Sequence, residues 1–154
     1  RLTRNRHGRG SARGPTGLQM TLQDLGISHT HTQIADLTQY RRKEGLSNDD
    51  IVEALGQFVL KARVRSGASW DDLTRSNTTK NVIIVSWMLK GYIGHFSIVE
   101  KVGKTFIDLA DPDSGKIVRL QKMVFMRLWM DYDDMWFPVK NTDIQLRWMC
   151  VVSK

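Results

Sequence analysis

The sequence predicts an α+β protein in which N-terminal helices pack on a C-terminal antiparallel β-sheet. Three observations predict it. Apolar residues at helical spacing fill the first half, β-branched and aromatic runs fill the second, and the two periods are segregated along the chain. The 154 residues suit a single domain, and 41% hydrophobic residues, with five Trp, five Phe and three Tyr among the aromatics, are enough for a core.

The elements follow in order. Residues 1–10 are rich in Arg and Gly and too poor in apolar surface to order themselves, so they read as a flexible basic arm ahead of one domain over 11–154. Pro15 suits a first helical turn, Leu18, Leu22 and Leu25 keep helical spacing, and Gly26 closes the end, which predicts a helix over about 15–25. A second helix is expected from Thr32 to Arg42. Ser47, with Asp50 three residues on, signals an N-cap, and Ile51, Leu55 and Phe58 form an apolar stripe to about Val59. Ser69-Trp70-Asp71-Asp72-Leu73 starts a short fourth helix.

The period then changes. Strands are expected over Val82 to Leu89, His95 to Val102 and Lys104 to Ala110, with a turn at Val102-Gly103-Lys104. Ile117 to Leu120 reads as a further strand after Asp111-Pro112-Asp113-Ser114-Gly115, Gln121 to Trp129 as a short helix, and Ile144 to Val152 as one terminal strand. Cys150, the only cysteine, lies in that strand, so no internal disulfide is possible. Free Cys is usually a buried apolar residue, and this role is expected of Cys150 in preference to that of a displaced nucleophile. With His29, His31 and His95 it makes no metal-ligand spacing, and no metal or cofactor is expected.

The net charge is +7, but Arg1, Arg4, Arg6, Arg9 and Arg13 carry five of those charges and leave +2 for the rest. The arm would attract RNA or phospholipid through counterion release, yet it offers no aromatic ring on which bases stack, so a solvated tail is the stronger expectation. The longest apolar stretches, Asn81 to Leu89 and Met123 to Met130, fall short of the ~20 residues that span a bilayer. The first residue is Arg rather than Met, as in a fragment or processed product, and no signal segment gives a destination.

Several motifs stand in a telling order. Arg13-Gly14-Pro15-Thr16-Gly17-Leu18-Gln19-Met20 resembles the Cys-Gly-Pro-Ala/Thr-x-Leu-x-Met opening of the C39-type peptidases, papain-like cysteine peptidases, with the Cys replaced. Leu25-Gly26-Ile27, Gly45-Leu46-Ser47, the strand ending at Trp87, Gly94-His95-Phe96, Asp111-Pro112-x-x-Gly115 and Phe125-x-x-x-Trp129 follow in the family's order. The resemblance covers roughly residues 11–132, and its specificity lies in the succession, since each motif alone is common.

The resemblance implies a papain-like fold and a relay. In such peptidases a Cys at a helix N-terminus is held as thiolate by the helix dipole and a neighbouring imidazolium. His95 would be the general base and acid, and Asp111, sixteen residues on, would hold the imidazole in the useful tautomer. A strand, a turn and a returning strand of that length place the two ends side by side. The plainer alternatives are a partly buried strand histidine and a turn-forming Asp before Pro.

Two departures speak against activity. Arg13 stands where the family has its nucleophile, and a guanidinium stays protonated and delocalised. The oxyanion-stabilising Gln that the family carries about six residues earlier is also missing, with His7 nearest to that place. Loss of one such donor alone costs roughly a hundredfold or more. Ser11 and Thr16 are nearby hydroxyls outside the matching position. Arg13 itself would pair with a carboxylate such as Asp111, or bind a peptide carboxylate.

Three functions are thus open: a pseudopeptidase whose cleft binds a peptide or partner protein segment, a leader-peptide-processing peptidase lineage with position 13 altered, and a nucleic-acid binder acting through the arm. Export-associated members of the family would place the domain in the cytoplasm, and the sequence does not specify the oligomeric state. The stretch Met130 to Pro138 sets Asp131, Asp133 and Asp134 among aromatics, and a solvated acidic loop with Trp136 and Phe137 packed on the sheet is expected rather than a cation site, since the Gly and Glu of an EF-hand are missing. Trp148 is expected in the core.

Overall fold

The computed structural model describes residues 48–57, 61–91, 93–110, 116–132 and 137–153. The basic arm and the helices expected over 15–25 and 32–42 lie outside the described residues, as do Arg13 and Asp111. Within them the order is α1 (Asn48–Gln57), β1 (Lys61–Arg65), α2 (Trp70–Ser76), β2 (Val82–Leu89), β3 (Ile93–Val102), β4 (Phe106–Ala110), β5 (Ile117–Gln121), α3 (Lys122–Leu128), β6 (Met130–Tyr132), a 3-10 turn (Asn141–Asp143), β7 (Ile144–Leu146) and β8 (Met149–Ser153). Six strands form one antiparallel sheet in the order β1-β8-β2-β3-β4-β5, and β6 pairs with β7 beside it. No helix of the described residues is long and apolar enough to cross a membrane.

Strand β2 is near-continuously apolar because it is central and buried on both faces. Ile83, Val85 and Trp87 point to one face, with Val99 of β3, Ile107 and Leu109 of β4, and Met149 and Val151 of β8. There they meet Ala68, Trp70 and Leu73 around α2, and Phe125 and Trp129 at α3. Each fully buried large apolar side chain contributes about 1.5–3 kcal/mol. The opposite face, with Val82, Ile84, Met88, Ile98, Ala110, Cys150 and Val152, is buried too.

Local chemistry sets the ends of the elements. Ser69 caps α2: its Oγ accepts from the Asp72 amide at 3.1 Å, and Asp72 Oδ2 accepts from the Ser69 amide at 2.8 Å. Arg75 and Arg65 reach Asp72 Oδ1 at 2.7 and 2.9 Å. The Ser69 amide, then Arg75, hold the Asp72 carboxyl well below the usual carboxylate range. Lys90 and Gly91 turn the chain from β2 to β3 with φ of 58° and 86°, in the left-handed region.

Three expectations need correction. The single terminal strand over Ile144 to Val152 is two strands, because Arg147 takes a left-handed φ of 47°. Its amide donates to the Trp129 carbonyl at 2.9 Å, its Nε to the Ala68 carbonyl at 2.7 Å, and its carbonyl accepts from the Ala68 amide at 3.1 Å. These bonds turn β7 toward β6 and release β8 into the main sheet. Next, Asp131 belongs to a strand, half-buried and hydrogen-bonded, rather than to a solvated loop. Finally, Phe137 is 64% exposed instead of packed on the sheet, while Asp133, Asp134 and Trp136 lie outside the described residues. Strand β1, Lys-Ala-Arg-Val-Arg, escaped the sequence reading because an exposed edge strand needs no apolar run.

Candidate functional site

His95 occupies the third position of β3, directly opposite Trp87 of β2. Cross-strand partners share a face, so the imidazole lies on the side of the sheet that carries Val85, Trp87 and Val99. It is 4% exposed, and its ring meets the Trp87 indole edge to face, with centroids 6.0 Å apart and an interplanar angle of 83°. The indole is fixed in turn, since Trp87 Nε1 donates to Ser97 Oγ at 2.9 Å. Ser97 is two residues beyond His95 on the same face and is also buried. The histidine therefore sits on a rigid central strand between packed neighbours.

The other face of the same segment is built differently. Ser86 Oγ donates to Asp131 Oδ2 at 2.7 Å, and Asp131 Oδ1 accepts from the Tyr132 amide at 2.8 Å. The carboxylate lies against Gly94, where an added Cβ would stand 2.6 Å from Oδ1. Phe96 meets Trp148 edge to face at 6.4 Å, and Trp148 is buried as expected. The Gly-His-Phe motif thus has a physical content: Gly94 admits Asp131, His95 faces Trp87, and Phe96 packs on Trp148.

The hairpin that would return the chain toward His95 forms. Strand β4 runs back along β3 with a register shift between Val99 and Lys101 and reaches Ala110 opposite Ile98. Asp111 and Arg13, the residues expected beside His95, lie outside the described residues. His7, Ser11 and Thr16 lie outside them as well.

Cys150 is wholly buried at the second position of β8, and burial pushes its thiol up to about 12. A thiol so placed is protonated and inert, which is the core role expected of it. Among the described residues no three His, Cys, Asp or Glu side chains gather as metal ligands. Sequence reading missed the part played by Asp131 and Ser86, which are 45 residues apart and meet through the tertiary fold alone.

The six-stranded antiparallel sheet and the buried histidine near the start of β3 define an α+β domain with one candidate base on a central strand. The profile of the peptidase C39 family matches residues 6–133, and the chain belongs to that family. No curated protein matches the sequence. Among solved structures, the peptidase domain of Streptococcus ComA, described as a bi-functional ABC transporter involved in a quorum sensing pathway, is similar with a TM-score of 0.72 at 18% identity, over 99% of this chain and 98% of that one. A double glycine motif protease from an AMS/PCAT transporter, solved in complex with the leader peptide, is similar with a TM-score of 0.70 at 16% identity, over 100% and 93%. The peptidase domain of Streptococcus mutans ComA gives 0.62 at 17% identity, over 97% of each chain. At these identities the likeness establishes the C39 peptidase fold.

Proposed function

We propose that this chain is a C39-fold domain that no longer cleaves peptide bonds and binds an extended peptide or partner segment in the cleft of its relatives' active site. The observation that carries this reading is Arg13, in a stretch that otherwise keeps the Gly-Pro-Thr-x-Leu-x-Met pattern of the family's nucleophile helix. A guanidinium has no electron pair to attack a carbonyl, so no acyl-enzyme forms. His95 and Asp111 are then a vestigial base and orienting acid. Arg13 would donate to peptide carbonyls and carboxylates, while Asp111, an acceptor, would orient His95 or accept from peptide N–H groups, instead of the three activating a thiol. A relative whose structure holds a leader peptide supports peptide binding as a function of this fold.

A second reading is favoured by the state of His95. Its burial against Trp87, with Trp87 tied to Ser97, is the fixed support that a working base requires. On this reading the chain stems from an active peptidase in which position 13 is Cys.

Peptides carrying a double-glycine leader, incubated with the unmodified chain, test the first reading. Saturable binding by fluorescence anisotropy, weakened by His95→Ala, with no cleavage product by mass spectrometry, is the expected result. Cleavage by the unmodified chain, or binding indifferent to His95→Ala, overturns it. For the second reading, Arg13→Cys is exposed to an electrophilic peptide probe. Adduct formation at residue 13 that requires His95 supports an altered peptidase, and a folded variant that stays unlabelled rejects it.

A further inference from the structure

We propose that the end of the sheet where the β3–β4 turn meets α3 docks on an anionic lipid surface. The Lys122 amide donates to the Thr105 carbonyl at 2.8 Å, which sets the turn carrying Lys104 beside the first turn of α3. From that turn Met123 and Val124 stand out, 66% and 42% exposed. Residues 117–130, which run from β5 into α3 at this end, contain Arg119, Lys122 and Arg127 and no Asp or Glu. Lys101 and Lys104 add exposed cations from the β3–β4 side. The acids nearest in the sheet are Glu100 on β3 and Asp108, and the latter is gripped by Arg119 at 2.8 and 3.0 Å. Two protruding apolar side chains in a basic rim match the boundary between anionic headgroups and acyl chains.

The same geometry argues against other occupants. Of the aromatic rings here, Phe106 is covered by the Arg119 guanidinium at 3.9 Å and approached by Lys101 at 5.7 Å, and Trp70 is buried with Lys122 over it at 5.3 Å, so neither offers a platform for a nucleic-acid base. A second copy of the chain meeting this surface would set lysines against lysines. The lipid reading also accounts for Met123 and Val124, which a purely electrostatic partner would leave in water.

The test is flotation of the full chain with phosphatidylcholine vesicles, with and without phosphatidylserine. Binding is expected only with phosphatidylserine. Lys104→Glu should weaken it about 25-fold, at about fivefold per unit of charge. Met123→Ser should weaken it about tenfold by removing buried apolar area. Val139→Ser, at a 76% exposed apolar residue remote from this end in the sequence, should change nothing. All three variants retain the N-terminal arginines, so a loss confined to Lys104→Glu and Met123→Ser assigns the contact to this surface. Vesicle binding unaffected by those two variants would place the attraction in the arm and overturn the proposal. So would the lack of any vesicle binding, or binding to polyglutamate in place of vesicles with the same variant dependence, which would identify an acidic protein partner.

Discussion

Asp131 lies against Gly94 so closely that a Cβ on residue 94 would stand 2.6 Å from its Oδ1. The carboxylate has little room to retreat, because Ser86 and the Tyr132 amide hold both of its oxygens. The residue before His95 is therefore constrained by a strand more than thirty positions away, and the histidine's backbone inherits that constraint.

Gly94→Ala should destabilise the fold by about 1–3 kcal/mol, through overpacking and loss of the Ser86 bond. Urea denaturation measures the loss. Adding Asp131→Ala should recover part of it, and a cycle without such coupling would show that the contact carries no energy.

Trp87→Phe keeps most of the packing against His95 but leaves Ser97 without its donor, at a cost of about 1–2 kcal/mol. Ser97→Ala should cost a similar amount by stranding the buried indole N–H. Because both variants break one bond, the double variant should lose less than the sum of the two. The ring resonances of His95 in NMR should shift in Trp87→Phe, since the adjacent indole is gone.

Asp72 and Asp108 both titrate below their ordinary value, Asp72 chiefly through the Ser69 amide and Asp108 chiefly through Arg119. A folded-state pKa that is depressed gives stability that is present above the unfolded pKa, about 4, and is lost as pH falls toward the folded value. Thermal melts of the unmodified chain and Asp72→Asn should therefore differ at neutral pH, and the difference should begin to shrink below about pH 4 and go on shrinking as the pH falls toward the folded-state value. A difference that persists unchanged into acid would contradict the assignment of the Ser69 amide and Arg75 as partners of the ionised carboxylate.

Cys150, with its thiol pushed up to about 12, should resist alkylation in the native chain at mildly alkaline pH and react fully once unfolded. Mass spectrometry after iodoacetamide treatment reads this directly. Rapid native labelling would put the residue at the surface and reopen its reading as a displaced nucleophile.

Much of the fold was legible locally. The boundaries of β2 match the apolar run from Val82 to Leu89, α2 begins where Ser69 and Asp72 form their box, and Cys150 and Trp148 are buried as their types suggest. Such features depend on a residue and its neighbours within one turn or one strand. The family, too, was readable from the succession of Gly-His-Phe, Asp-Pro-x-x-Gly and Phe-x-x-x-Trp, and the match over residues 6–133 bears it out.

What the sequence determined by itself is the α+β order, the central strands, the C39 lineage and the arginine at position 13, since each is carried by local period or residue identity. The tertiary structure alone decided that Asp131 belongs to Gly94 and Ser86, that Ser97 holds the Trp87 indole that packs on His95, and that Arg147 breaks the last strand in two. Those outcomes depend on hydrogen bonds and close contacts between different elements of the fold. A carboxylate, a hydroxyl or an arginine has the same composition whether it meets water or a buried partner, and only the folded chain chooses between them.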